Sequence, residues 1–290
     1  MLMYKTALAL ACLLSLSACA KTASTDGQAN AAADQPAAAV PPTTAGQLAG
    51  GELDRVLAGK WRSPENSARD VYRHPRETLQ FFGLRPDMTV IEIAPGGGWY
   101  SEVLAPFLKE NGRYIAAVQA SSKVETSLKA KFDGDPAEYS KAEIIAFDPK
   151  SPTFGPAGSA DMVLTFRNVH NWVEADTASV MFKGFFAALK PGGVLGVVDH
   201  RSAADATLAS VKESGYLPMD YVIGLATDAG FKFDDKSEIN ANPKDTKDYP
   251  KGVWTLPPTY QLGDQDKAKY REIGESDRMT LRFVKPATTP

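Results

Sequence analysis

Residues 92–98 read Glu92-Ile93-Ala94-Pro95-Gly96-Gly97-Gly98, and this stretch decides the fold of the chain. It follows a short apolar strand predicted at 90–93 and precedes a helix predicted at 101–109. Glycines between a strand and a helix let a ligand approach the backbone closely, and the helix N-terminus adds partial positive charge. The stretch therefore predicts a ligand-binding loop at the carboxyl end of a strand.

Strands and helices alternate on both sides of this loop. Further strands are predicted at 114–118, 143–147, 161–166, 194–198, 231–239 and 279–284, the last two as an antiparallel pair. Helices are predicted over most of 51–82 and at 124–132, 175–189 and 219–229, with a turn at 190–193. We therefore expect an α/β fold: a doubly wound, mostly parallel seven-stranded sheet with helices on both faces. Its ligand crevice would lie at the carboxyl ends of the strands.

The composition excludes several classes of protein. Charged residues make up 23% and hydrophobic residues 43% of the 290 residues, which is ordinary for a globular chain and not for a collagen-like, wholly disordered or multi-span membrane chain. The formal net charge of -3 argues against a nucleic-acid partner. Both cysteines, Cys12 and Cys19, lie in the first twenty residues, so the rest of the chain has none for a disulfide or a cysteine zinc site.

The N-terminal segment has the pattern of a bacterial export signal. A positive charge precedes an apolar run at 6–18, which is shorter than the roughly 20 residues that a membrane-spanning helix needs. Leu16-Ser17-Ala18-Cys19 resembles a lipoprotein lipobox, which implies a signal peptide at 1–18 and a lipidated Cys19. Because Ala20 follows rather than Asp, the resemblance favours an outer-membrane lipoprotein facing the periplasm. The alternative is an ordinary secretory signal with a chance cysteine.

The distribution of apolar residues divides the rest of the chain into a tether, a folded domain and a short tail. Residues 19–50 are rich in Ala, Thr and Pro and contain no aromatic residue, so we expect a disordered tether there. Residues 51–285 would form the folded domain, and 286–290 a disordered tail. Within the domain the alternation of strands and helices fails at 240–276, which we interpret as an insertion or lid.

Several motifs together resemble the class I S-adenosylmethionine-dependent methyltransferases, and among them a group of predicted bacterial methyltransferases. Glu92, Gly96 and Gly98 match the first family motif, and the other matches are Phe147-Asp148, Ala160-Asp161-Met162-Val163 and Leu189-Lys190-Pro191-Gly192-Gly193. The resemblance implies a Rossmann-like fold, S-adenosylmethionine as cofactor, and methyl transfer to a small-molecule or envelope acceptor. The cofactor contacts that we expect are Glu92, Ala94, Gly96, Gly97, Gly98, Gln119, Asp148 and Asn168, the last toward either cofactor or substrate.

Two positions depart from the family pattern. Ala94 stands where the family has its first glycine, which leaves less room for the amino-acid end of the cofactor. Gln119 stands where an acid usually holds both ribose hydroxyls, and an amide cannot provide that bidentate carboxylate contact. These departures imply either reduced affinity or compensation by another group.

Two other functions remain open from the sequence. Because S-adenosylmethionine is made in the cytoplasm, an exported chain could be a non-catalytic periplasmic module that binds a small ligand or a protein partner. A nicotinamide-dependent oxidoreductase would use a similar glycine pattern. The acid at Glu92 and the lack of one at Gln119 both argue against it.

Two of the three histidines are expected at the crevice. His170 follows the fourth strand and His200 follows the fifth, so either is a candidate general base, with a structural role as the alternative. Methyl transfer needs no obligatory base when the acceptor ionises easily. A metal site from His170, Asp199 and His200 is conceivable, but no ligand spacing supports it, and we expect no metal. His74 is expected at a helix junction with a structural role.

Overall fold

The computed structural model describes residues 44–287, which are built around one seven-stranded sheet. Its strands are β1 (Thr89–Ile93), β2 (Arg113–Gln119), β3 (Glu143–Phe147), β4 (Ala160–Phe166), β5 (Leu189–His200), β6 (Lys232–Ser237) and β7 (Arg278–Val284). They lie in the order β3-β2-β1-β4-β5-β7-β6. The pairs among β1 to β5 are parallel, and β7 runs antiparallel to both β5 and β6. The mostly parallel sheet and its closing antiparallel pair are confirmed.

Helices cover both faces of the sheet, as expected. They are α1 (Thr44–Leu57), α2 (Pro64–Ser67), α3 (Asp70–Arg73), α4 (Pro75–Phe82), α5 (Ser101–Leu108), α6 (Lys123–Gly134), α7 (Pro136–Tyr139), α8 (Val169–Glu174), α9 (Ala178–Ala188), α10 (Leu208–Val211), α11 (Met219–Asp228) and α12 (Lys267–Ile273). Side chains alternate along a strand. Accordingly, Ile91 and Ile93 join one buried cluster with α9 and α11, and Val90 joins another with α4 and α5.

The N-terminal helical region is more broken than the sequence predicts. Ser63 caps α2, since its Oγ accepts a hydrogen bond from the Asn66 amide at 3.2 Å, and Pro64 occupies the first turn. His74 then takes a left-handed conformation with φ of 41° between α3 and α4, which places it at a junction as expected. This turn separates the short helices that reach the crevice from the longer helix that packs on the sheet.

Three predicted boundaries differ from the structure. Helix α1 begins at Thr44, so the last seven residues of the predicted tether are helical. The predicted turn at 190–193 lies inside β5: Leu189 already pairs with Ala160, and the register shifts before Met162 pairs with Val194. The insertion at 240–276 contains a 3-10 turn (Gly252–Thr255) and α12. The signal peptide, Cys19, most of the tether and the last three residues lie outside the described part of the chain.

No helix within residues 44–287 combines the length and the apolar character that crossing a membrane would require.

Candidate functional site

A cavity of about 300 Å³ lies where the carboxyl ends of β1 and β4 meet. Here the chain order reverses, since β2 and β3 lie on one side of β1 while β4 and β5 lie on the other. This is the position at which open α/β sheets bind ligands. The lining comes from three segments: Glu92 with the glycine loop and Trp99 and Tyr100; Phe166, Arg167 and Asn168 after β4; and Asn66, Arg69 and Arg73 from the N-terminal helices.

The glycine loop leaves space beside its backbone. A side-chain Cβ added at Gly96 or Gly97 would meet no atom within 4 Å. Gly96 and Gly98 have φ of 59° and 81°, a region that favours glycine, and a Cβ at Gly98 would lie 3.0 Å from Leu128. Ala94 also has a positive φ, 51°, although it carries a side chain. The glycines that the sequence singled out therefore allow the turn and leave open space beside the backbone of the loop.

Glu92 provides a buried acid beneath this loop. Its Oε2 accepts hydrogen bonds from the Tyr114 hydroxyl at 2.5 Å and from Ser101 Oγ at 3.2 Å. Burial raises the pKa of Glu92 to about 7, although the two hydroxyl donors and the charge of Arg73 act in the opposite direction. The neutral form of Glu92 is therefore much easier to populate near neutral pH than that of an ordinary glutamate, and a cationic ligand group in the cavity would favour the charged form.

Asn168 connects the two strands that frame the cavity. Its Nδ2 donates to the Ile93 carbonyl at 3.0 Å and to the Ala94 carbonyl at 3.3 Å. These bonds hold the start of the glycine loop against the end of β4. Asn168 thus lines the cavity, as expected of a ligand contact, and also supports the loop.

Three arginines, Arg69, Arg73 and Arg167, line another part of the cavity. We call these three residues the arginine wall. Arg69 Nε donates to Glu275 Oε1 at 2.7 Å, and Arg73 Nε to Glu275 Oε2 at 3.4 Å. Burial would raise the pKa of Glu275, but the positive charges of Arg278, Arg73, Arg69 and Arg167 lower it to about 2. Glu275 is therefore a permanent carboxylate outside the cavity lining.

Aromatic packing fixes the arginine wall against the glycine loop. The Arg73 guanidinium lies 4.6 Å from the ring centroid of Trp99, and the Trp99 indole donates to the Asn66 carbonyl at 2.8 Å. Tyr100 stacks on Phe166 with centroids 3.6 Å apart. The two aromatic residues between the glycine loop and α5 therefore contact both the N-terminal helices and the end of β4.

Both candidate histidines lie behind the cavity lining. Arg167 Nε donates to His200 Nε2 at 3.3 Å, so the proton of a neutral His200 is on Nδ1, which hydrogen-bonds Ser276 Oγ at 2.5 Å. Burial, with a further contribution from Arg167, lowers the pKa of His200 well below its usual range. His200 is thus a neutral acceptor that orients Arg167. A general-base role for either histidine remains a prediction.

The structure also brings His170, Asp199 and His200 together. One candidate ligand atom from each lies within 4.8 Å of the others, although His170 is 29 residues before Asp199 in the chain. Asp199 Oδ1 is hydrogen-bonded to His170 Nδ1 at 2.8 Å and accepts the His200 amide at 2.7 Å. With the Arg167 guanidinium also beside His200, these hydrogen bonds compete with a metal ion for the same atoms.

Gln119 and Asp148 lie at the carboxyl ends of β2 and β3, as the sequence predicts. Both are exposed, and neither belongs to the lining of the cavity just described. The Asp148 carboxylate accepts the Lys150 amide at 2.9 Å. Their strands lie on the same side of β1, in the order β3-β2-β1, and the contacts predicted for both residues remain predictions.

The arginine wall and Asn66 are the lining residues that the sequence did not single out. Arg69 and Arg73 are four residues apart, a spacing that puts two side chains on one side of a helix. That spacing is the signal that could have identified them. The insertion at 240–276 contributes no lining residue within the described chain, but it supplies Glu275 to the arginines.

Comparisons with known proteins agree on the fold. Neither a protein-family model nor a curated protein matches the sequence. A solved S-adenosylmethionine-dependent methyltransferase from Aquifex aeolicus has a TM-score of 0.53 and 15% identity, covering 81% of this chain and 98% of that chain. Another, from Methanosarcina mazei, has a TM-score of 0.51 and 15% identity, over 72% and 97%. The cyclase SpnF has a TM-score of 0.54 and 14% identity, over 83% and 96%. The described residues therefore have the fold of the class I methyltransferases.

Proposed function

We propose that the chain is an S-adenosylmethionine-dependent methyltransferase. The observation that carries this proposal is the cavity at the β1–β4 junction, where open space beside Gly96 and Gly97 lies above the buried acid Glu92. The methyltransferases among the structural neighbours indicate S-adenosylmethionine as the cofactor. Because a shared fold does not imply a shared reaction, as the cyclase SpnF illustrates, the proposal rests on the site as well as on the fold.

The residues of the site fit this cofactor. The space beside the glycine loop would take its amino-acid end, with Glu92 facing the ammonium group and the loop amides facing polar atoms. Gln119 and Asp148, farther along the strand ends, would contact the ribose and the adenine. When bound, the cofactor supplies a sulfonium whose methyl group is already activated toward a nucleophile.

The remaining task of the protein is positioning. Trp99, Tyr100 and Phe166 form an apolar side of the cavity that would limit the access of water and orient the acceptor. Asn168 holds the loop in place through its bonds to Ile93 and Ala94. No proton transfer is required of these residues when the acceptor ionises easily. His200 and His170 lie one layer behind and remain candidates for a proton acceptor with other substrates.

Calorimetry with S-adenosylhomocysteine, the demethylated product, tests the proposal on the full chain. We expect micromolar binding to the wild type. Gly97→Leu should weaken it, since overpacking a site costs about 1–3 kcal/mol, or about fivefold to 150-fold in affinity. Gly97 has no positive φ and no neighbour within 4 Å of an added Cβ, so the substitution fills the site without straining the backbone.

Gly134→Leu is the matched control, because Gly134 also has open space around it but lies at the end of α6, outside the cavity lining. It should leave the affinity unchanged. Absence of binding to the wild type at millimolar ligand would contradict the proposal, as would equal affinity in Gly97→Leu.

We also propose that the chain acts in the bacterial envelope as a lipid-anchored protein. The support is the lipobox pattern 16–19, with Cys19 as the acylated residue. Acyl chains contribute about 0.8 kcal/mol per buried methylene, so two or more would anchor the chain stably. In cell fractionation, Cys19→Ala should move the chain from membranes to the soluble fraction. Cys12→Ala is the control, and membrane retention of Cys19→Ala would contradict the anchor.

A further inference from the structure

The arginine wall has unused hydrogen-bonding capacity in a residue that lines the cavity. Each guanidinium has five N–H donors. Within residues 44–287, Arg69 uses Nε on Glu275, while its Nη2 is buried and has no hydrogen-bond partner. A buried donor without a partner costs stability unless a ligand or water satisfies it. Arg69 therefore has a buried donor available at the edge of a cavity.

The wall also has an excess of positive charge. Arg69, Arg73 and Arg278 all form ion pairs with the single carboxylate of Glu275, at 2.7 to 3.4 Å. Glu275 lies outside the cavity lining, so its negative charge neutralises the arginines from behind. An anion in the cavity would neutralise them from the front, where Arg69, Arg73 and Arg167 are exposed to it.

The arginines are held in place rather than mobile on the surface. Arg167 has φ of 63°, a left-handed conformation that is uncommon for a residue with a side chain. His200 accepts its Nε–H, and Trp99 packs against Arg73. A preorganised group of guanidinium side chains suits the planar, bidentate recognition of carboxylates and phosphates.

The carboxylate of the cofactor could account for part of this arrangement. It is one group with a single negative charge, and it would engage one guanidinium in a bidentate pair. Three arginines line the cavity, so two guanidinium groups would remain for another anion.

We propose that the arginine wall binds an oxyanion of the methyl acceptor, so that the substrate is a carboxylate-bearing or phosphate-bearing molecule. This inference rests on the proposed methyltransferase function. The anionic group would lie against Arg69 and Arg167, and the acceptor nucleophile would lie toward the glycine loop, beside the aromatic rings of Tyr100 and Trp99.

Calorimetry on the chain saturated with S-adenosylhomocysteine separates the two anions, because the cofactor carboxylate is then already in place. The probes are inorganic phosphate, benzoate, and benzamide as the neutral isostere of benzoate. We expect benzoate or phosphate to bind and benzamide not to. Which of the two binds more tightly distinguishes a carboxylate acceptor from a phosphate acceptor.

Arg69→Gln should weaken anion binding at least about tenfold, since a hydrogen bond to a charged group contributes about 1.5–3 kcal/mol. Arg69→Lys keeps the charge and should lose less, which provides a second variant if Arg69→Gln fails to fold. Arg113→Gln is the control. Arg113 lies at the amino end of β2, whereas the cavity lies at the carboxyl ends of the strands, and it forms an exposed pair with Glu143. It should leave anion binding unchanged.

The outcomes separate this inference from the proposed function. If S-adenosylhomocysteine binds and no anion binds with it, the arginines serve only the cofactor carboxylate, and the inference is overturned. Anion affinity that is unchanged in both Arg69 variants would also overturn it. If S-adenosylhomocysteine does not bind but anions do so through Arg69, the anion site stands and the methyltransferase proposal fails.

Discussion

Two buried carboxylates on opposite sides of the cavity differ in pKa although their exposure is almost the same. Glu92, beneath the glycine loop, is 2% exposed, and Glu275, behind the arginine wall, is 4% exposed. Burial raises the pKa of Glu92 to about 7, because its two neutral hydroxyl donors and the charge of Arg73 offset the effect of burial only in part. Burial acts on Glu275 as well, but four arginines lower its pKa to about 2. The charged neighbours, rather than the depth of burial, decide the charge of each acid.

The comparison assigns different ligands to the two sides. An acid that is readily neutralised among hydroxyl groups can accommodate a cation without the cost of a permanently buried charge. A permanent carboxylate shared by several arginines leaves the arginine wall positive toward the cavity, which favours an anion. One cavity thus offers sites for groups of opposite charge.

Removing Glu275, the carboxylate behind the arginine wall, should lower the free energy of unfolding more than any other substitution considered. Glu275→Gln leaves Arg69, Arg73 and Arg278 without their shared partner, and breaking a buried ion pair costs about 3–5 kcal/mol. Urea unfolding at pH 7 measures the loss. Glu238→Gln is the control, since that exposed partner of Arg201 should contribute at most about 1 kcal/mol. Equal losses of unfolding free energy in the two variants would show that the arginines do not depend on Glu275 for stability.

The pH dependence of stability should show the two acids in separate windows. The folded-state pKa of Glu275 lies below the unfolded value of about 4.5, so its contribution to stability is present above pH 4.5 and is lost as pH falls toward 2. The pKa of Glu92 is raised, so its contribution is present below pH 4.5 and is lost as pH rises toward 7. Each change amounts to about 3 kcal/mol at 1.36 kcal/mol per pKa unit.

Glu92→Gln should remove the fall between pH 4.5 and 7 while leaving the rise between pH 2 and 4.5. Urea unfolding across this pH range measures both. A wild-type curve that keeps rising to pH 7 in the same way as the variant would show that Glu92 ionises normally.

Asn168→Asp should reduce stability by a smaller amount, because Asn168 supports the glycine loop through hydrogen bonds and not through ion pairs. An ionised Asp cannot donate to the carbonyls of Ile93 and Ala94, so two bonds become repulsive contacts, and we expect a loss of about 2 kcal/mol. Urea unfolding and the affinity for S-adenosylhomocysteine should both decline. Asn171→Asp, three residues on and exposed, is the control and should change neither.

Gln119→Glu should give the smallest effect, and it should strengthen ligand binding where Asn168→Asp weakens it. A carboxylate at the end of β2 could accept both ribose hydroxyls, which would add about 1 kcal/mol and several-fold tighter binding of S-adenosylhomocysteine. Calorimetry measures the change. Gln261→Glu introduces the same charge at another exposed position and should leave binding unaltered. Weaker binding by Gln119→Glu would place the ribose elsewhere.

Much of the fold was predictable because its signals are local. Apolar runs such as 90–93 and 161–166 became β1 and β4, and the glycines at 96–98 became the turn between β1 and α5. The start of β5 was misjudged: Lys190, Pro191 and Gly192 favour a turn, but they lie inside the strand, because Leu189 pairs with Ala160 and Val194 pairs with Met162 and Val284. That pairing involves residues distant in sequence, which local patterns do not reveal.

The candidate site was half predictable for the same reason. Glu92, Gly96, Gly97 and Asn168 were predicted and line one cavity. The arginine wall was missed because Arg69 and Arg167 are almost a hundred residues apart, and Glu275 lies more than a hundred residues beyond Arg167. Tertiary contacts bring them together: the N-terminal helices pack on Trp99, and Glu275 pairs with Arg69 and Arg73.

The sequence by itself determined the order of the strands along the chain, the glycine loop and the acid that precedes it. These depend on backbone conformation and on hydrophobic periodicity, which neighbouring residues set. Only the tertiary structure decided the charge of the cavity, because a pKa depends on burial and on the ionised groups nearby in space. It also decided that His200 orients Arg167 instead of lining the cavity, because that contact joins the ends of two different strands.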